Sequence, residues 1–368
     1  MKRSVKKGIL APIKWTAALI NIVLVILFVA SAWGGIVNPN TSVIAAGMAL
    51  MFPIFLVLML VALVANLIWF RKMAVVNIIA LLLCGGQVLN YCPINLPKSE
   101  ESVSRGNLLK VLSFNVFGFK VYGSDHKEST NPTLDYILNA DADIVLLQEA
   151  DGLTLPHMVG IPGSQCQKLD SIYPYHDITY RGMAIYSKYP VDVVPIRVRD
   201  KAQLDLCRYD VTLPDSRVVH LFNVHMQSIG LTAEDKQLYV EMTSGEAPAD
   251  AKKIRSGLLS KLAAAFRLRA KQAHEIREAL DSVDGDVILA GDFNDVPGSY
   301  ACLTVKGDDM ADAYRESALW PAITYHANRF YFRIDHIFYR GGLDAIRTQR
   351  GDCYSSDHYP LLTTFKLN

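Results

Sequence analysis

Hydrophobic and polar positions divide this chain into two regimes. From Trp15 to Val37, Val43 to Phe70 and Met73 to Leu89 the residues are apolar almost without interruption. A hydrocarbon core of ~30 Å takes about 20 helical residues, so each run predicts a membrane-spanning helix. The third is the shortest and contains Gly85 and Gly86. Such runs also serve as buried hairpins in soluble proteins, but a domain of modest size covers this much apolar surface poorly.

Further along, the apolar runs shorten to strand length. Leu109–Val116, Ile144–Gln148, Gly182–Ser187, Leu206–Leu213, Val218–His225, Val287–Ala290, Ile334–Tyr339 and Leu361–Lys366 are rich in β-branched and aromatic residues. Gly, Pro, Asn or Asp bounds them, as strand ends require. Helical patterning is confined to Thr133–Asn139 and Asp250–Leu280. This mixture predicts an α/β fold of two packed mixed sheets flanked by helices, preceded by three transmembrane helices, rather than a doubly wound parallel sheet. The implied organisation is a transmembrane region over 1–97 (helices near 15–37, 43–70 and 73–89), a linker over 98–107, and one large domain over 108–368.

Charge sharpens the division. The first 97 residues hold no Asp or Glu and seven cations, which leaves 30 basic against 36 acidic residues beyond them, a formal charge of −6. Lys2, Arg3, Lys6 and Lys7 precede the first run and Arg71 with Lys72 separates the second from the third, whereas Asn38–Ser42 has no cation. The positive-inside rule then puts the amino terminus in the cytoplasm, and three crossings put the large domain outside. Ala30, Ser31 and Ala32 also suit a signal-peptidase site, which would remove the first run and leave the domain outside all the same. A lipoprotein at Cys84 is excluded, because Leu83 stands where a small residue is needed.

The six cysteines lack the paired spacing of a thiolate zinc site. Export permits a disulfide such as Cys302–Cys353, and free thiols are the other reading. Lys252, Lys253, Arg255, Lys261, Arg267, Arg269 and Lys271 alternate with Ile254, Leu258, Leu259, Leu262 and Phe266. That stretch is either a lid or lipid-facing surface, or an ordinary helix with solvated charges and a core-facing stripe.

The strand ends carry the chemistry. VLSFNVFG brings Asn115, IVLLQE brings Glu149, TYRGMAIYSK brings Tyr180, FNVHM brings Asn223 and His225, ILAGDFND brings Asp292 and Asn294, RIDHIF brings Asp335, and SSDHYP brings Asp357 and His358. Carboxylates suit a hard divalent cation, and imidazoles manage charge and protons at phosphorus. In identity and order these strings resemble the endonuclease/exonuclease/phosphatase superfamily over about Leu108 to Asn368, with no motif missing. The resemblance implies a four-layer α/β sandwich and metal-dependent phosphate-ester hydrolysis by in-line water attack. It further implies Glu149, Asn115 and Asp357 around Mg²⁺ or Mn²⁺, and Asp292, His358, His225, Asp335 and Asn294 in catalysis. Asn294, Asn223 and Tyr180 are implied at the phosphate. His336 departs from the aromatic residue common at its position and reads as packing.

Two substrate classes follow. Tethering by three spans favours a lipid-linked or headgroup phosphate, because it raises the effective concentration toward substrates in the same bilayer. DNA or RNA is the alternative, although a charge of −6 lacks the basic surface that duplex binding draws on. A non-catalytic binding protein would have lost one of Glu149, Asp292, Asn294, Asp335 and His358, and none is lost.

Overall fold

A computed structural model describes residues 2–96, 98, 104–123, 130–179, 181–196, 204–244 and 251–368; Tyr180 lies outside the described residues. The chain divides into two compact units, Met1–Tyr91 with Gly298–Tyr300, and Cys92–Pro297 with Ala301–Asn368.

The first unit is helical: Lys2–Trp33, Val43–Leu50, Phe52–Trp69, Arg71–Leu83 and Gly85–Tyr91. Two stretches, Lys14–Ile36 and Phe52–Trp69, are long and apolar enough to cross a membrane, with mean hydropathies of 2.4 and 2.5. The expectation of three continuous spans is thereby corrected. The second run is split at Met51, where Pro53 opens the next helix, and proline suits a helix start because it has no N–H to donate. The third is a pair of helices bent by 71°, broken at Cys84 ahead of Gly85 and Gly86, since glycine weakens a helix interior. Three buried asparagines tie this unit together. Asn66 Nδ2 donates to Asn21 Oδ1 and Asn77 Oδ1 at 2.9 Å each, and Asn77 Nδ2 donates to Asn21 Oδ1 at 3.1 Å.

The second unit contains two six-stranded mixed sheets. Its strands are β1 (Leu108–Asn115), β2 (Ile144–Gln148), β3 (Tyr175–Ile178), β4 (Ala184–Ser187), β5 (Val191–Val194), β6 (Asp205–Thr212), β7 (Val218–His225), β8 (Asp286–Asp292), β9 (Ala311–Asp312), β10 (Asp335–Arg340), β11 (Leu343–Arg350) and β12 (Leu361–Leu367). The sheet orders are β11-β12-β1-β2-β4-β3 and β5-β6-β7-β8-β10-β9. Each has a parallel pair at its centre, β1 with β2 and β7 with β8, while the flanking strands run antiparallel.

Side chains alternate between strand faces, and three cores result. Val111, Ile144 and Leu146 of one sheet meet Leu221, Ile288 and Ile337 of the other. On the outer face of the first sheet, Phe114, Val145 and Leu147 pack with Leu134, Ile137 and Leu169 from helices Pro132–Asn139 and Gly163–Ile172. On the outer face of the second, Phe222, Val224 and Leu289 pack with Ala273, Ile276 and Val305 from helices Ala251–Asp281 and Tyr300–Lys306. Helix, sheet, sheet and helix make the α/β sandwich that the motifs implied. Central strands buried on both faces read as continuous apolar runs, which is why the sequence marks them so clearly.

None of the six cysteines, all of them among the described residues, is in a disulfide. The Cys302–Cys353 bridge does not form, because Cys302 belongs to the core of the second sheet and Cys353 to that of the first.

Candidate active site

Strand register assembles the site before any side chain is considered. His225 pairs with Asp292 across the parallel β7–β8 ladder, and Asp292 pairs with Asp335 across the antiparallel β8–β10 ladder. Residues in register on adjacent strands share a face, so these three point together. In the other sheet Asn115 ends β1 beside Gln148, which ends β2 and precedes Glu149. The site therefore sits where the two central parallel pairs end.

Close backbone packing fixes the strand ends. A Cβ on Gly291 would stand 1.9 Å from Val224 O, so only glycine lets β8 run this near β7. Glu149 and Asn294 adopt left-handed backbone, φ 56° and 50°, which turns each side chain sharply off its strand at a local energetic cost. Gly182 O accepts from Ala150 N at 2.7 Å and holds the turn behind Glu149.

The hub is Asp292 Oδ2. Asn115 Nδ2 donates to it at 3.1 Å and Asn294 Nδ2 at 3.2 Å, while Nε2 of His225 and of His358 each stand 3.6 Å away. The other oxygen accepts from Asn294 N at 2.7 Å. Burial pushes the Asp292 carboxyl above its ordinary range; His358 pulls it back and Asp335 pushes with burial. Asn115 Nδ2 also donates to Glu149 Oε1 at 3.1 Å, and His225 Nε2 lies 3.8 Å from that oxygen. Asn115 thus clamps carboxylates from the two sheets. Glu149 is 40 % exposed at its side chain, against 1 % for Asp292, so it forms the open side of the site.

His358 Nδ1 bonds Asp335 Oδ2 at 2.9 Å. Burial disfavours charge on this ring, but Asp335, Asp292 and Asp357 outweigh it and raise its pKa from 6.5 to about 10. The ring is an imidazolium at neutral pH. Thr324 Oγ1 accepts from Asp335 N at 3.1 Å, and Ser356 Oγ accepts from His358 N at 3.1 Å while donating to Asn115 O at 2.8 Å. Tyr325 lays its ring edge-on to His358, centroids 5.0 Å apart. Asp357 is pushed up to about 6 by burial, with His358 opposing and Glu149 and Asp292 adding.

Asp292, Asp335 and His358 bring ligand-type atoms within 4.8 Å of one another. An imidazolium offers a metal no lone pair, so we read this trio as a hydrogen-bonded acid–base group. The fit for a divalent cation lies on the Glu149 side, where burial, with Glu149 and Asp292 adding to it, raises the Asp357 carboxyl. Excess negative charge of this kind is what a hard cation neutralises.

Asn115, Glu149, His225, Asp292, Asn294, Asp335, Asp357 and His358 come together as one constellation. Asn223 does not join it. It is wholly buried, accepts from Gln148 Nε2 at 2.7 Å and donates to Leu147 O and Ala184 O at 2.9 and 3.1 Å. Its amide joins the two sheets and is unavailable to substrate. His336 packs, as its context predicts: Nε2 lies 2.9 Å from Asp295 O, Nδ1 lies 3.2 Å from Arg333, and burial, helped by Arg333, drives its pKa down to about 4.

Sequence reading missed several supports. Ser356 and Asp295 lie inside the motif strings, whereas Thr324 and Tyr325 carried no signal. Arg269, counted among exposed cations, is buried; its Nε donates to Asp295 Oδ2 at 3.0 Å and one guanidinium nitrogen donates to Gln227 O at 3.1 Å. It braces the loop after Asn294. Arg267 and Lys271 do face solvent.

Comparisons with known proteins complete the picture. Residues 112–358 match the Endonuclease/Exonuclease/phosphatase family, a span that opens in β1 and ends on His358. Residues 14–91 match a domain of unknown function, DUF8431. No curated protein matches the chain. Similar solved structures include an endonuclease/exonuclease/phosphatase from Beutenbergia cavernae (19 % identity, 71 % of this chain, 72 % of that one, TM-score 0.46). The human Nocturnin catalytic domain with bound sulfate (15 %, 71 %, 95 %, 0.47) and a humanized D. rerio TDP2 (17 %, 71 %, 99 %, 0.43) are others.

Proposed function

The chain belongs to the endonuclease/exonuclease/phosphatase family, and on that premise we propose that it hydrolyses a lipid-linked or headgroup phosphate at a membrane surface. It is a hydrolase of phosphate esters. The observation carrying the proposed chemistry is the convergence on one buried carboxylate oxygen, Asp292 Oδ2, of two amide donors and two imidazoles drawn from both sheets.

In the proposed mechanism Asp292 orients the attacking water and takes its proton, a task suited to a carboxyl whose proton affinity burial has raised. His358, held cationic by Asp335, faces the phosphoryl oxygens as negative charge builds on them. Asn294 and His225 contact the phosphate, His225 on the leaving-group side. Glu149 and Asp357 would hold Mg²⁺ or Mn²⁺, with Asn115 fixing Glu149, and the bound cation would supply Lewis acidity at a phosphate oxygen. Attack is in line, with no covalent enzyme intermediate.

The membrane part rests on Lys14–Ile36, Phe52–Trp69 and the bent pair over Arg71–Tyr91. Counting the bent pair as a third span, the positive-inside rule places the catalytic domain outside the cytoplasm; with two spans it would face inward. Protease applied to sealed cells separates these, with digestion of the catalytic domain expected. For substrate, full-length protein in lipid nanodiscs is offered phospholipids, lipid phosphates and plasmid DNA, with Mg²⁺ or with chelator. Chelator-sensitive release of a headgroup or phosphate from lipid supports the reading; fast plasmid nicking beside inert lipid assigns the site to nucleic acid instead.

A further inference from the structure

The residues that follow the apolar helices are pinned to one face of the catalytic domain. Trp320 N donates to Pro93 O at 3.0 Å, Asn95 N donates to Ala318 O at 3.2 Å, and Asn95 Nδ2 donates to Arg315 O at 2.6 Å. Ile94 pairs with Leu319 in an isolated bridge. This strap leaves large apolar side chains facing outward: Trp320 is 69 % exposed, Ile94 73 % and Leu96 80 %. Trp320 also sits in left-handed backbone, φ 76°, a costly conformation for a bulky residue. Water does not reward that arrangement.

Beside these residues runs a groove of about 550 Å³, lined by Leu319, Ile323, Arg347, Thr348, Gln349 and Arg350 among others, with no carboxylate in its wall. The Arg350 guanidinium lies 4.2 Å from the ring centroid of Tyr359 and pairs with exposed Asp352. Tyr359 directly follows His358, and Ile323 of the groove directly precedes Thr324, which accepts from Asp335 N, so the groove residues adjoin active-site residues along the chain.

We propose that this groove seats an anionic phospholipid headgroup and so holds the active-site edge on the bilayer. Guanidinium forks match phosphate oxygens bidentately. An exposed tryptophan with aliphatic neighbours beside cations is the composition of a headgroup-level surface. The strap begins at Pro93, two residues after Tyr91, the end of the last apolar helix, so only Cys92 lies between them along the chain. The inference rests on the membrane reading above but not on the assigned catalytic roles.

The test is hydrogen exchange on the full chain in nanodiscs, comparing phosphatidylcholine alone with phosphatidylcholine plus phosphatidylglycerol. Slower exchange over 319–323 and 347–350 is expected only with the anionic lipid. Inorganic phosphate added to zwitterionic nanodiscs should not reproduce it. An Arg347→Gln/Arg350→Gln variant should lose the effect, since each cation near a charged surface contributes roughly fivefold in occupancy, or about 25-fold together. Unchanged exchange in β8 shows that the variant is folded, and unchanged turnover of a soluble diester separates lipid seating from catalysis. Identical exchange in both lipids, equal protection by free phosphate, or protection by an oligonucleotide instead would each overturn the proposal.

Discussion

Replacing Asp335 with Asn tests how the site keeps His358 charged. The ring's pKa stands at about 10 against an ordinary 6.5, and at 1.36 kcal/mol per pH unit that difference corresponds to about 5 kcal/mol at most. Asp335, Asp292 and Asp357 share it, and Asp335 is bonded to the ring at 2.9 Å. A hydrogen bond to a charged partner contributes about 1.5–3 kcal/mol, which is the part the variant forfeits. Because the folded pKa lies above the unfolded one, this stabilisation is complete below pH 6.5 and disappears as pH rises through 10. Thermal unfolding of the full chain in chelator, from pH 6 to beyond pH 10, should show the unsubstituted protein more stable by about 1.5–3 kcal/mol near neutrality, with the two curves converging in base. Turnover with Mg²⁺ should fall about 10²–10⁴-fold in the variant, and its deficit relative to the unsubstituted protein should narrow toward acid, where the weakened imidazole regains its proton. Parallel stability curves with unchanged turnover would refute the pairing.

Other substitutions probe the supports. Asn115→Ala removes the clamp on Asp292 and Glu149 and leaves a buried acceptor short of a donor; unfolding measurements should show a loss of about 1–3 kcal/mol with weakened turnover. Arg269→Met strands the Asp295 carboxylate, and calorimetry should register about 3–5 kcal/mol. Asn66→Leu deletes the amide that bridges Asn21 and Asn77, and reversible unfolding in bilayers should fall by about 0.6–2 kcal/mol.

The sequence reading located the central strands and missed the edges. β3, β5, β9 and β11 were not anticipated, and they are the four edge strands of the two sheets. An edge strand has one neighbour and a partly wet face, so its apolar signal is diluted: YHDI and VDVV read as loops beside VVHLFNVH. The site was legible because its residues cap strands buried on both faces, where a polar side chain interrupts an apolar run. What escaped was pairing at a distance. Nothing near Arg269 announces Asp295, 26 residues on, and Asn223 looks like a ligand until Gln148 and two backbone carbonyls claim its amide. The third apolar run looked continuous because hydropathy does not register the turn at Cys84.

The central claim is that Asp292 and a divalent cation act on one phosphoryl group. Its most direct test is steady-state hydrolysis of a bis-aryl phosphodiester by full-length protein and by Asp292→Asn, in Mg²⁺ and in chelator. The account predicts turnover by the unsubstituted chain that chelator abolishes and Mg²⁺ restores, with none above background in the variant. Turnover that survives the substitution or ignores the chelator would contradict it.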